Sequence, residues 1–85
     1  MSNSLYAKAL LKWGKKAQLV QTMEELSELS MACSKAFKGV RHNLAEEIVD
    51  VEIMIEQLKE AFNFPQSLKR WRKIKLARLE RRIKK

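Results

Sequence analysis

Turn-forming residues, cysteine and histidine are all scarce in this sequence of 85 residues. Two glycines and one proline provide few turns, whereas the abundant Ala, Leu, Glu, Lys and Arg favour helices. Cys33 is the only cysteine, which excludes an internal disulfide. We expect a reducing, cytoplasmic location, with Cys33 as a small buried apolar residue. No apolar stretch approaches the roughly 20 residues that span a bilayer, so no membrane association is expected.

Length and charge set the next limits. The chain is long enough for one domain, residues 1–85, which buries only about 60% of the surface of the unfolded chain. Association with a second copy would supplement so thin a core. Residues 65–85 contain ten Lys or Arg and one Glu, a net +9, and residues 1–64 contain eight basic and nine acidic residues, a net −1. A nearly neutral body is therefore followed by a basic segment. Basic segments are typical of proteins that bind nucleic acid, anionic membranes or phosphorylated ligands, and charge alone does not choose among these.

The spacing of apolar residues predicts an all-α fold, an antiparallel bundle of three to four helices with short connections. A short first helix is expected over about residues 4–13, and Gly14 interrupts the helical pattern after it. A second helix is expected over about residues 15–37. Gly39 ends it, because glycine readily adopts the left-handed conformation found at helix ends.

Two further helices are expected after this loop. Asn43 is the predicted N-cap of the third helix, with Glu46 as its capping-box partner. Pro65 separates this helix from a fourth, which carries most of the basic residues and runs almost to the end of the sequence.

Each of the two long central helices has an apolar stripe that we expect to face the core. The stripe of the second helix consists of Leu19, Met23, Leu26, Ser30, Cys33 and Phe37. The stripe of the third helix consists of Leu44, Ile48, Val51, Ile55, Leu58 and Phe62. Packing of these two stripes against each other is the predicted centre of the bundle.

Two groups of acidic residues lie beside these stripes. The second helix has the pattern E-E-x-x-E at residues 24–28, and the third has E-E-x-x-D at residues 46–50. Residues three apart are neighbours on a helix surface. Glu25 and Glu28 therefore point the same way, as do Glu47 and Asp50, and the two pairs converge when the stripes pack.

Four convergent carboxylates repel one another, and a hard divalent cation relieves that repulsion. Mg²⁺ prefers oxygen ligands, keeps several waters and is completed by substrate phosphates. An all-carboxylate set suits Mg²⁺ or Mn²⁺ better than zinc. His42, the only histidine, falls in the predicted loop and is interpreted as a solvated loop residue. Acidic residues at this spacing are common on solvated helix faces, and it is the presence of two such pairs on adjacent helices that favours a metal site.

These residues carry a resemblance to a known family. E-E-x-x-E, 18 intervening residues and then E-x-x-D is similar to the signature of the all-α nucleoside triphosphate pyrophosphohydrolases, which include MazG and the dimeric dUTPases. The segment from Trp13 to Phe62 most resembles short MazG-like proteins of bacteria and their phages, and the resemblance covers about residues 5–83. It implies a bundle that assembles as a homodimer or homotetramer. It also implies Mg²⁺-dependent hydrolysis of a nucleoside triphosphate to the monophosphate and pyrophosphate.

The resemblance also implies roles for individual residues. The Mg²⁺ ligands matched to the family motif are Glu25, Glu28, Glu47 and Asp50. Glu24 matches the first acid of the motif and would orient or activate the attacking water.

Candidate substrate contacts lie outside the acidic motif. Lys75 and Arg78, on the basic last helix, match positions that bind phosphates in the family, and Lys38 in the loop is a further phosphate candidate. Gln21 lies on the helical face of the acidic residues, where its amide could contact the base, with Trp13 as a stacking partner.

Two interpretations without catalysis remain open. The basic last helix, in which Trp71 lies between Arg70 and Arg72, is compatible with a nucleic-acid-binding module. That interpretation leaves the acidic pairs unexplained, because carboxylates repel phosphates. A regulatory helical partner that retains the bundle without its activity is the other interpretation, and the complete set of acidic residues speaks against it.

Overall fold

Three helices make up the computed structural model, which describes residues 3–85 and their side chains from residue 5 onward. They are α1 (Asn3–Phe37), α2 (Leu44–Phe62) and α3 (Pro65–Ile83). The described part of the chain contains no strand, so the predicted all-α fold is confirmed. None of the described helices is long and apolar enough to cross a membrane.

Gly14 divides α1 into two helical parts. Its backbone angles, φ 83° and ψ 168°, are not helical and are readily adopted only by glycine. The parts on either side correspond to the two helices predicted over residues 4–13 and 15–37. The interruption lets the first part of α1 take a direction different from that of the longer second part.

Gly39 ends α1 as predicted. Its φ is +74°, and its N–H donates to the carbonyl of Ala36 at 3.1 Å. The N–H of Val40 donates to the carbonyl of Lys35, also at 3.1 Å. These two hydrogen bonds, one nested inside the other, form a Schellman motif. The motif satisfies carbonyls at the helix end and turns the chain toward α2.

The second part of α1 and α2 form an antiparallel pair that contains nearly all of the tertiary contact. Gln18 contacts Gln57 at one end of the pair, and Glu25 approaches Asp50 nearer the other end, so the two chains run in opposite directions. The residues buried between the helices are Gln18, Thr22 and Ala32 from α1 and Glu47, Val51, Met54 and Ala61 from α2. This interface is narrow, and polar side chains occupy much of it.

The predicted apolar stripe of α1 is not the face that packs against α2. Leu19, Met23, Leu26, Cys33 and Phe37 are exposed. The face toward α2 holds the preceding residues, including buried Gln18, Thr22 and Ala32 and half-buried Glu25 and Leu29. A shift of one residue is a rotation of about 100° around the helix axis. Cys33 is exposed, so the expectation that it is buried was wrong: the buried position at this turn of α1 is Ala32, one residue earlier.

The predicted stripe of α2 is only partly buried. Val51 is buried and Leu44, Leu58 and Phe62 are half-buried, but Ile48 and Ile55 are exposed. The interface is centred instead on Glu47, Val51 and Met54. In both helices, the acidic face has turned inward and larger apolar side chains have been left at the surface.

Helix α3 has no buried residue. Pro65 occupies its first turn, where the missing N–H costs nothing, and the rings of Phe62 and Phe64 stack at 6.3 Å across the junction with α2. Leu68 is half-buried, whereas Trp71 and the later apolar residues of α3 are exposed. The basic helix therefore extends from the α1–α2 pair without packing along it.

Candidate metal centre

Three carboxylates from two helices meet at one point of the α1–α2 interface. Glu25 on α1 and Glu47 and Asp50 on α2 each present an oxygen, and these oxygens all lie within 4.8 Å of one another. Glu47 and Asp50 share a face because they are three residues apart, and the antiparallel packing places Glu25 opposite them. The structure thus brings together three of the four predicted metal ligands. We call this group the carboxylate cluster.

Glu25 and Glu47 each accept a hydrogen bond on one carboxylate oxygen, and within the described chain the other oxygen of each is free. Glu47, which is 6% exposed, accepts a hydrogen bond from Asn43 Nδ2 to its Oε2 at 2.8 Å. Glu25 accepts one from Gln21 Nε2 to its Oε2 at 2.8 Å. The Oε1 atoms of Glu25 and Glu47 are buried and have no hydrogen-bond partner among the described residues. A carboxylate oxygen buried without a partner is costly unless a cation binds it.

The donor set fits a hard cation. Every ligand atom in the cluster is a carboxylate oxygen, the donor that Mg²⁺, Mn²⁺ and Ca²⁺ prefer, and neither histidine nor cysteine lies among them. Three carboxylates would leave the other positions of an octahedron to waters or to phosphate oxygens. The buried Oε1 atoms of Glu25 and Glu47, which accept no hydrogen bond from the described residues, are available to bind such a cation.

Glu28 and Glu24 lie at the edge of the cluster. Both side chains are exposed, and Glu28 is not one of the three whose oxygens converge. The carboxylate of Glu25 raises the pKa of Glu28 above its ordinary value of 4.5, with further contributions from Glu47, partial desolvation, Asp50 and Glu24. The negative potential of the cluster therefore reaches Glu28, one turn along α1 from Glu25.

The predicted phosphate-binding cations do not surround the cluster. Lys38 is exposed in the turn after α1. Lys75 and Arg78 are exposed on α3, where the Lys75 ammonium lies 5.8 Å from the centre of the Trp71 ring. Within the described chain, neither Lys75 nor Arg78 forms an ion pair with the cluster. Lys75 lies ten residues into a helix that starts at the end of α2 distant from the cluster.

At the start of α2, Asn43 has a role in the cluster that the sequence analysis did not predict. Asn43 is at the N-cap position, but its side chain makes no capping hydrogen bond, so the predicted capping box with Glu46 was wrong. Asn43 contacts the Glu47 carboxylate instead. His42 is an exposed loop residue as predicted, and its Nδ1 accepts a hydrogen bond from the Leu44 N–H at 3.2 Å. The contact between Asn43 and Glu47 could have been predicted from their spacing of four residues, which puts both side chains on one side of the helix start.

A cavity of about 240 Å³ lies on the same helix pair, and Gln21 lies between it and the cluster. Its lining residues are Trp13, Ala17, Gln18, Gln21, Met54 and Gln57. Gln21 links the two features, because its Nε2 donates to Glu25 while its side chain lines the cavity. The sequence analysis placed Gln21 and Trp13 near a base, but it did not identify Gln57.

No protein-family model, curated protein or solved structure matches this chain. The resemblance to the MazG-like group therefore rests on the acidic motif and its spacing.

Proposed function

We propose that this protein is a Mg²⁺-dependent nucleoside triphosphate pyrophosphohydrolase, a hydrolase acting on an acid anhydride. It would convert a nucleoside triphosphate and water into the monophosphate and pyrophosphate. The observation that supports this most directly is the meeting of Glu25, Glu47 and Asp50 at the α1–α2 interface, where two buried oxygens have no hydrogen-bond partner in the described part of the chain. The family resemblance of the same residues supplies the reaction.

The protein's own residues would hold and orient the metal ligands. Glu25, Glu47 and Asp50 bind the cation, Asn43 fixes the Glu47 carboxylate, and Gln21 fixes that of Glu25. A bound Mg²⁺ supplies a coordinated water of lowered pKa and neutralises charge on the phosphates. Manganese has the same ligand preferences and would substitute for it.

Glu24 and Glu28 complete the acidic side of the site in this proposal. Glu28 is a further metal ligand, and its exposed side chain is free to turn toward the cluster when a cation is present. Glu24 accepts a hydrogen bond from the attacking water and directs it at the α-phosphorus. Attack there breaks the bond between the α-phosphorus and the oxygen that bridges to the β-phosphate, and pyrophosphate leaves.

Positive charge is required on the side of the leaving pyrophosphate. Lys75 and Arg78 on α3, together with Lys38, are the proposed phosphate contacts. Because α3 packs along neither α1 nor α2 of its own chain, Lys75 and Arg78 reach a carboxylate cluster most simply in an assembly of copies.

Exposed apolar residues support a homodimer or homotetramer. The α1 stripe that faces away from α2 includes Leu19, Met23 and Leu26, and Leu26 is 49% exposed. On α2, Ile48 and Ile55 are likewise exposed. The apolar residues buried among those described are only Ala32, Val51, Met54 and Ala61, a core too small to stabilise the pair alone. Burial of both stripes against a second copy supplies the missing apolar contact.

Product analysis tests the proposed reaction. Purified protein is incubated with Mg²⁺ and each canonical or common damaged nucleoside triphosphate, and monophosphate and pyrophosphate are quantified. We expect both products in equal amounts from at least one substrate, with loss of activity in EDTA. Asp50→Ala should abolish turnover with helical content unchanged, whereas Glu52→Ala, at an exposed position of the same helix, should not. Release of single phosphates, or activity that survives Asp50→Ala, would contradict the proposal.

A second candidate function follows from the exposure of α3. This helix combines a high density of Lys and Arg with exposed Trp71, and none of its residues is buried. Such a surface is suited to nucleic acid, with binding that weakens steeply as salt increases. Titration of a fluorescent oligonucleotide at two salt concentrations measures this. If no triphosphate is hydrolysed, and if the protein binds the oligonucleotide in a salt-dependent way that the Trp71→Ala variant loses, nucleic-acid binding would be favoured over catalysis.

A further inference from the structure

The cavity beside the carboxylate cluster contains an unusual pair of amides. Gln18 is 2% exposed, and its Nε2 donates to Gln57 Oε1 at 3.1 Å. Its own Oε1 is buried without a partner among the described residues. Gln57 is half-buried, and within residues 5–85 its Nε2 donates only to the sulfur of Met54, at 3.5 Å. The pair thus has one acceptor with no partner and one donor whose partner is a thioether, a weak acceptor.

Two amides with unmet hydrogen bonds are destabilising in a protein interior. Apolar residues of similar size at positions 18 and 57 would fill the same space without that cost. A ligand that donates to Gln18 Oε1 and accepts from Gln57 Nε2 would satisfy both groups. The ligand that suits this pair is a planar edge with a donor next to an acceptor, as every nucleobase has, and glutamine amides pair with such edges.

The position of the cavity relative to the cluster fits one nucleotide. Gln18 lies seven residues before Glu25 on α1, and Gln57 lies seven residues after Asp50 on α2. Two helical turns separate the amide pair from the carboxylates on both helices, about 10 Å at 1.5 Å per residue. A ribose and its first phosphate extend over a distance of this order. Gln21, between the two, lines the cavity and contacts Glu25.

The size and the opening of the cavity also suit a base. An apolar cavity of about 150 Å³ is known to hold benzene. The 240 Å³ here therefore has room for a larger heterocycle with its exocyclic groups. Trp13 lines the cavity while remaining 59% exposed, so the indole ring is accessible to a ligand that enters. Its face is a stacking surface for a planar ring.

We propose that this cavity binds the nucleobase of the substrate, read by the Gln18–Gln57 amide pair, while the phosphates lie at the carboxylate cluster. Gln57 contacts the base, and Gln18 both positions the Gln57 carbonyl and accepts from the base. On entry, the base replaces the Met54 sulfur as the partner of Gln57 Nε2. The placement of the phosphates rests on the proposed function, but recognition of the base does not require hydrolysis.

Binding of product-like ligands tests this without turnover. The Trp71→Phe chain leaves Trp13 as the only tryptophan, so its fluorescence reports on the cavity. Affinities are measured for the five common nucleoside 5′-monophosphates and for ribose 5-phosphate, each in Mg²⁺ and in EDTA. We expect at least one monophosphate to bind about tenfold more tightly than ribose 5-phosphate, the effect of two net hydrogen bonds. The difference should persist in EDTA, because the base contacts need no metal.

Isosteric variants locate the base. Gln57→Met and Gln18→Met keep the side-chain volume and remove the amide, and each should abolish the difference between nucleotide and ribose 5-phosphate. Gln66→Met, the same change at an exposed position of α3, should preserve it. Equal binding of ribose 5-phosphate and all monophosphates, no binding of any monophosphate, or a base preference that survives both cavity variants would overturn the proposal. Each result leaves the pyrophosphate assay to decide the proposed reaction separately.

Discussion

Replacement of Glu47 by glutamine should stabilise the metal-free protein while removing its response to Mg²⁺. Glu47 is the most buried carboxylate of the cluster and lies near Glu25 and Asp50. Glutamine has the same shape, and its carbonyl oxygen can still accept the hydrogen bond from Asn43. The change therefore removes a charge and little else.

The magnitude follows from the separation of the oxygens. The oxygens lie within 4.8 Å of one another. At that limit, two unit charges repel by about 0.9 kcal/mol in water and by about 3.5 kcal/mol at an effective dielectric of 20. Glu25 and Asp50 are half-exposed, so the lower figure is the better guide for each pair. Loss of two such repulsions should stabilise the metal-free protein by about 1–2 kcal/mol. For a domain of this size, each 1 kcal/mol raises Tm by about 4–8 °C.

Thermal unfolding in EDTA and in Mg²⁺ measures both effects. In EDTA, Glu47→Gln should melt at a higher temperature than the wild type. In Mg²⁺ at about 100 times its Kd, the wild type should gain about 2.7 kcal/mol and the variant much less, so that the order of stability approaches equality or reverses. Glu52→Gln, an exposed change on the same helix, serves as the control. If the Glu47→Gln variant had an unchanged or lower Tm in EDTA and gained as much stability from Mg²⁺ as the wild type, both the charge repulsion and the metal site would be refuted.

Three further predictions concern the assembly, the pH dependence and the helix end. Leu26→Lys should shift the protein to a smaller species in sedimentation experiments while Ser27→Lys does not, and identical sedimentation of the two would argue against the α1 stripe as an interface. Because the pKa of Glu28 is raised above 4.5, the folded protein binds this proton more tightly than the unfolded chain, so metal-free stability should fall as pH rises from about 4.5 through the raised pKa. Glu28→Gln should flatten that part of the Tm–pH profile, and an unchanged profile would count against the coupling. Gly39→Ala should lower the free energy of unfolding in urea by about 1–2 kcal/mol through left-handed strain, since open space surrounds the added methyl group; Gly39→Asn should cost less.

The sequence was a good guide to local structure because local structure depends on local chemistry. Gly14 and Gly39 interrupt and end α1 where their conformational freedom predicted, and Pro65 begins α3. The three-residue spacing of Glu47 and Asp50 was sufficient to place them on one face. The sequence analysis also predicted convergence with Glu25, but it did so by packing the two apolar stripes together, and the α1 stripe does not face α2.

The sequence did not predict which face of each helix packs inward. Leu26 and its stripe form the most apolar face of α1, but the neighbouring face with Glu25 and Ala32 contacts α2. Periodicity identifies an apolar stripe without identifying what covers it. This is why the residues buried between the two helices differ by one position from the predicted stripe on α1.

The helical class, the breaks between helices, the basic character of α3 and the acidic groups were all predictable, because they depend on residue type and on the spacing of a few residues. The folded structure was needed to show that Glu25, Glu47 and Asp50 come within 4.8 Å of one another while Glu28 remains outside, and that Asn43 contacts Glu47 rather than capping α2. It alone decided that Gln18 meets Gln57 across 39 positions of sequence. The physical reason is that the rotation and axial offset of two packed helices are set by the sum of many side-chain contacts, and no single stretch of sequence contains that sum.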